Sequence, residues 1–201
     1  MSKVIFFTDV EGNWDYFCKL VHQSEGMKFV GDGTFAPHEC ELEEGYSVVF
    51  GGDAGDKGPG TIRFVAALLR LKRKYPDRVV LIMGNRDINK MRFTSELAEA
   101  ELANLRSQES PYWVAQARAV SPLSFVMKAA MKAEGLQEEF QVGPDLVAKH
   151  NTKKNRLLWM LNDTMGSAGD FEHRAAELRI VRGLSSTSGG PCPLAACCLS
   201  T

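Results

Sequence analysis

Three short apolar runs, Val4-Ile5-Phe6-Phe7, Val48-Val49-Phe50 and Val79-Val80-Leu81-Ile82, each give way to a block of glycine, carboxylate and amide residues. The blocks are Asp9-Val10-Glu11-Gly12-Asn13, Gly52-Asp53-Ala54-Gly55-Asp56-Lys57-Gly58 and Gly84-Asn85-Arg86-Asp87. Short runs rich in β-branched and aromatic residues, bounded by turn residues, read as buried strands. Helical spacing lies between them. Repeated strand–loop–helix units leave few options beyond a largely parallel sheet joined by right-handed crossovers. In such sheets ligands bind beyond the carboxyl ends of the strands. All three blocks are therefore expected at one lip of one sheet.

The expected strands run over about 3–8, 46–50 and 79–82. A helix is expected over 14–24, with Asn13 either capping it or adding a polar contact to the lip. A second spans 61–75, with Ile62, Val65, Ala66 and Leu69 on one face and cations in its last turn, where the helix dipole favours them. Beyond Asn89 the pattern turns helical, over about 95–105, 122–133, 153–165 and 171–180. Ser121-Pro122 is a start signal, a capping hydroxyl before a first-turn proline, and Asp170 is expected to cap the last helix. From Gly183 the chain carries no charged residue and no periodicity. The expected organisation is thus a domain over 1–182 and a disordered tail over 183–201. Gly31-Asp32-Gly33-Thr34-Phe35-Ala36 formally fits a dinucleotide fingerprint, but no helical pattern follows it, and that reading is set aside.

With 201 residues, 44% hydrophobic and a net charge of −1, the chain can bury a real core but offers no broad basic surface. Nucleic acid is not an expected partner. No apolar run is long enough for a membrane span, and the start at Met1 lacks a leader pattern. Five cysteines, an odd count without such a leader, argue for reduced thiols in the cytosol or nucleus, and a cytoplasmic location is expected.

The blocks carry chemistry. Asp9 and Glu11 alternate at a strand end. Asp53 and Asp56 sit in a glycine-rich loop that also brings Lys57, and Asn85 adds an amide oxygen. Carboxylates converging in this way call for a cation, and oxygen donors suit a hard divalent ion. Two ions sharing an aspartate would lie roughly 3.5–4 Å apart and activate a water between them. That apparatus suits attack on a phosphoester.

In their order and in the strand before each, the blocks resemble the signature of the calcineurin-like metallophosphoesterase superfamily: D-x-H, then G-D-x-x-D-R-G, then G-N-H-E/D. The resemblance covers about residues 3–90. The G-D-x-x-D-K-G form is nearest in style to the Ser/Thr-phosphatase branch. It implies an α/β fold, a sandwich of two mixed sheets flanked by helices. It also implies that Asp9 and Glu11 hold one metal, Asp53 bridges, and Asn85 binds a second. By the same resemblance Lys57 takes the place of a phosphate-binding arginine, and Asp56 orients the residue at position 86.

Three departures qualify this. Glu11 stands where the family has a histidine ligand, which shifts preference toward Mn²⁺ or Mg²⁺. Arg86 stands where the family has a proton-donating histidine. Arginine does not release a proton near neutral pH, so Arg86 is expected to hold a phosphate oxygen or to pair with Asp56 or Asp87. The family's later G-H and G-H-x-H blocks are absent, since the only histidines are His22, His38, His150 and His173. The chain thus reads as the N-terminal portion of such a domain, with an open sheet edge and an apolar face that a protein partner would cover. The expected function is metal-dependent phosphoester hydrolysis using one or two divalent ions. The alternative is a truncated or degenerate relative that binds metal, phosphate or a partner without catalysis.

Overall fold

The computed structural model describes residues 3–30, 39–105 and 109–181, with residues 180 and 181 described by backbone only. The tail over 183–201 and the Gly31–Ala36 segment considered above lie outside the described residues.

Chain order begins with β1 (Lys3–Phe7), α1 (Trp14–Gln23), β2 (Met27–Val30), β3 (Glu39–Leu42), β4 (Tyr46–Phe50), α2 (Thr61–Lys74) and β5 (Val79–Leu81). Strands β1, β4 and β5 form one parallel sheet in the order β1-β4-β5. The register aligns Phe7 with Phe50 and Phe50 with Leu81. The strands therefore end level, and each block begins at the same height. β2 and β3 pair as an antiparallel ribbon, Phe29 opposite Cys40. Where two mixed sheets were expected, the described residues hold one parallel sheet and this small ribbon.

Alternation along the strands separates two faces. Val48 and Val79 are wholly buried, and Phe7 and Phe50 nearly so, whereas Val4, Phe6 and Val80 are exposed. On the buried side Phe7, Phe17, Phe64 and Phe50 make a closed ring of contacts, with centroids 4.9 to 5.9 Å apart. Truncating a central member such as Phe64 to alanine would cost about 3–5 kcal/mol. α2 turns Phe64, Ala67, Leu68 and Leu71 into this core. The face expected for α2 is thus corrected: Leu69 is 41% exposed. Both stripes are apolar, and the one bearing Phe64 fills the volume over the sheet. Asn13 proves to be the cap of α1, its Oδ1 accepting the Tyr16 N–H at 3.0 Å.

The rest is helical: α3 (Asn85–Lys90), α4 (Arg92–Glu96), α5 (Glu99–Ala103), α6 (Pro122–Glu134), α7 (Pro144–His150), α8 (Lys153–Trp159) and α9 (Asp170–Val181). The single helix expected over 95–105 is two short ones, broken at Leu97-Ala98, where Ala98 is extended. The helix expected over 153–165 passes after Trp159 into a π-helical turn over Met160–Thr164. Ser121 caps α6 as expected, while α3 and α7 were not anticipated.

The chain divides into two compact units, Met1–Asp87 with the chain from Glu172 onward, and Ile88–Phe171. The second centres on Trp159, Met160, Leu161 and Met165, ringed by Phe93, Leu97, Phe125, Leu157 and Phe171. Among the described residues no helix is long and apolar enough to cross a membrane.

Candidate active site

Backbone hydrogen bonds continue the sheet past its strands and zip the first two blocks together. Gly51 N–H donates to Phe7, Asp9 N–H to Gly52, Glu11 N–H to Asp53 and Gly12 N–H to Ala54, at 2.8 to 3.0 Å. Gly58 N–H returns to the Glu11 carbonyl at 2.7 Å, and Gly60 N–H to that of Gly12 at 2.8 Å. The third block is bound through side chains. The Asp87 carboxylate accepts from the N–H groups of Asp53 at 2.8 Å, Ala54 at 3.0 Å and Gly84 at 2.9 Å. In return Asp53 Oδ1 accepts the Arg86 N–H at 2.9 Å. A Cβ at Gly84 would collide with the Asp53 carboxylate, so only glycine allows the two loops this approach.

The same turns bend the backbone into a rare region. Among the described residues the non-glycines with positive φ are Asp9 at 53°, Glu11 at 48° and Asp53 at 59°. Each such residue costs on the order of 1–3 kcal/mol and persists only where its surroundings over-determine it. Here the zipper and the Asp87 clamp supply that determination. All three are carboxylates at the lip, and all three were singled out in the sequence.

Charge is arranged around Glu11 and Asp56. Asp56 is wholly buried. Arg86 Nε stands 3.5 Å from Asp56 Oδ2 and 3.8 Å from Glu11 Oε1. Lys57 Nζ lies 3.6 Å from Glu11 Oε2, with its side chain 56% exposed. A buried carboxylate requires a nearby counter-charge, and for Asp56 Arg86 provides it. Of the partners expected for Arg86, the structure supplies Asp56 and adds Glu11, while Asp87 turns to backbone N–H groups instead. Asn85 opens α3, at the start of the third block's helix rather than within a loop.

The lip gathers Asp9, Glu11, Asp53, Asp56 and Asp87 against Lys57 and Arg86, with the Asn85 amide on the adjoining helix. Hard oxygen donors in excess of local cations fit a divalent ion in chemistry. As they stand, no three or more His, Cys, Asp or Glu side chains among the described residues are grouped to hold a metal ion. Glu11 is turned toward Lys57 and Arg86.

Two features escaped the sequence reading. One is the clamp by Asp87, whose signal was present: a carboxylate in the first turn of a helix that follows a tight glycine. The other lies in α9. Glu177 accepts the N–H groups of Ile62 at 2.8 Å and Arg63 at 2.9 Å, and Arg174 Nη2 donates to the Gly58 carbonyl. More than a hundred residues separate these partners, and nothing local announces the contact.

A family model described as calcineurin-like phosphoesterase matches residues 2–157. No curated protein and no solved structure matches the chain.

Proposed function

Because the chain belongs to the calcineurin-like phosphoesterase family, we propose that it hydrolyses a phosphoester at the lip of its parallel sheet, in a reaction dependent on a divalent metal. The observation that carries this reading is the strained trio. Asp9, Glu11 and Asp53 alone among the described non-glycine residues hold a positive φ, and strain of this kind clusters at functional sites.

Asp9, Glu11, Asp53 and Asn85 are the residues that would hold the ion, with Mn²⁺ or Mg²⁺ favoured by an all-oxygen donor set. When bound, such an ion supplies an activated water and neutralises phosphoryl charge. The chain's own side chains do the rest. Lys57, exposed at the loop tip, meets the phosphoryl oxygens and stabilises the charge that builds there. Arg86 offers the outer edge of its guanidinium to the same group, while Asp56 fixes its orientation from the buried side. With Lys57 and Arg86 engaged by the phosphoryl group, Glu11, which now pairs with both, would be available to hold the ion. The buried thiol of Cys40 is in keeping with a reducing, cytoplasmic setting.

A second reading has its own observation. Glu11 pairs with both Lys57 and Arg86, an internal neutralisation suited to a degenerate site that binds phosphate without turning it over.

Hydrolysis of p-nitrophenyl phosphate with added Mn²⁺, wild type beside Asp53→Asn, separates the two. Metal-dependent turnover that falls by roughly a hundredfold or more in the variant supports the enzyme. Equal rates for the two chains, at the level of buffer, sink it and leave the binding module.

A further inference from the structure

We propose that helix α9, through Arg174 and Glu177, is a positioning element for the Lys57 loop. The inference rests on the reading of the lip as a phosphoester site, and it concerns residues beyond the stretch 2–157 that the family model matches.

The loop between β4 and α2 has glycines at 51, 52, 55, 58 and 60 and places Lys57 at its exposed turn. Glycine permits the tight path but leaves such a loop costly to order. A lysine on a flexible stem can then serve a phosphate only if the backbone beneath it is fixed from outside. On one flank the first block does this, since Gly58 and Gly60 donate to the carbonyls of Glu11 and Gly12. On the other flank stands α9.

α2 begins after Gly60, which has no side chain to cap the helix. Its orphan N–H groups would ordinarily need a nearby acceptor. Glu177 provides one from a distant part of the chain, one carboxylate oxygen to Ile62 and the other to Arg63. Glu177 is 5% exposed and is bracketed by guanidinium groups, Arg63 Nε at 3.5 Å and Arg174 Nε at 3.7 Å. The negative charge also sits where the helix dipole favours it. Arg174 reaches past Glu177 to the carbonyl of Gly58, the residue next to Lys57. One helix therefore holds the loop at Gly58 and again at Ile62-Arg63. Neither side chain is a catalytic residue. They act through the loop, and a displacement of about 1 Å at a substrate-binding group costs up to roughly a hundredfold in rate.

The test compares the full chain with Arg174→Ala, Arg174→Lys, Glu177→Ala, Glu177→Gln and, as reference, Lys57→Ala. Amide hydrogen exchange is followed at Gly58, Gly60, Ile62 and Arg63 against core amides of Val48 and Phe50, beside kcat and KM for p-nitrophenyl phosphate with Mn²⁺. The expected result is exchange faster by roughly tenfold at these four amides, two in the loop and two in the first turn of α2, with the core unchanged. KM should rise toward that of Lys57→Ala, with Arg174→Lys and Glu177→Gln recovering part of the loss. Unchanged exchange in both alanine variants overturns the proposal. Faster exchange with wild-type kcat and KM also overturns it, because α9 would then be a stabilising clasp and nothing more. Should Glu177→Ala fail to fold, the Arg174 pair decides. If the wild-type chain turns over no ester, it is the hydrolase reading that fails. Inorganic phosphate affinity then decides the positioning: weaker binding in Arg174→Ala supports it, while equal binding, or none to the wild type, overturns it.

Discussion

Asp87 holds Asp53 by the backbone: its carboxylate takes the N–H groups of Asp53 and of Ala54, while Asp53 Oδ1 takes the N–H of Arg86 one residue before Asp87. The second and third blocks thus grip each other reciprocally. Removal of the clamp leaves three N–H groups, those of Asp53, Ala54 and Gly84, without their acceptor. Asp87→Ala is therefore expected to destabilise the protein by on the order of 3 kcal/mol or more. Urea denaturation measures this, and a loss below about 1 kcal/mol would show that the clamp is dispensable.

The strain at Glu11 leads to an opposite expectation. Glu11→Gly relieves a positive φ of 48° and should raise stability by about 1 kcal/mol. Glu11→Ala keeps the strain and gains nothing. If the lip is a working site, the glycine variant is more stable and less active at once. A glycine variant no more stable than the alanine one would count against strain at this position.

No imidazole stands in the three blocks, and arginine, the residue type at position 86, is not a proton donor near neutral pH. Turnover should accordingly favour esters whose leaving group departs without protonation. The kcat/KM for p-nitrophenyl phosphate is expected to exceed that for an alkyl phosphate by roughly 10²–10⁴, the scale of general-acid assistance. Arg86→His should narrow that ratio. Comparable rates for the two esters in the wild type would mean that another group supplies the proton.

In the helical unit Arg156 is wholly buried. Its Nη1 reaches Asn151 Oδ1 at 3.4 Å, and its Nε and Nη2 have no hydrogen-bond partner among the described residues. Burial pulls its pKa down, against the opposing pull of Glu96 and Glu101. A buried charge so weakly satisfied is poorly matched to its site. Arg156→Met should leave thermal stability unchanged or raise it, while Arg156→Ala, which opens a cavity, should lower it by about 2–5 kcal/mol. Thermal melting of both variants checks this; equal losses in the two would show that the guanidinium is needed.

Much of the lip was legible because its signals are local. A strand, a glycine and a carboxylate within ten residues mark where Asp9, Asp53 and Asn85 sit, and the parallel register brings them level. What remained hidden depends on volume or on distance. Periodicity alone did not show which apolar stripe of α2 would face the sheet, because Leu69 and Leu68 are equally apolar and packing against Phe7, Phe17 and Phe50 made the choice. The break at Leu97-Ala98 falls in a helical pattern without glycine or proline to mark it. Glu177 read only as a polar helix position, since the N–H groups it serves lie 114 and 115 residues earlier.

The parallel order of β1, β4 and β5 also fixes where the molecule can be handled. Every candidate site residue stands at the carboxyl ends of these strands, so the opposite lip carries none of them. There the chain turns at Glu44 before β4 and at Asp77 before β5, both exposed. A five-residue strand separates that lip from the other by about 15–17 Å. A fluorophore, a surface linker or a grafted peptide attached at Glu44 or Asp77 would leave the candidate site unobstructed.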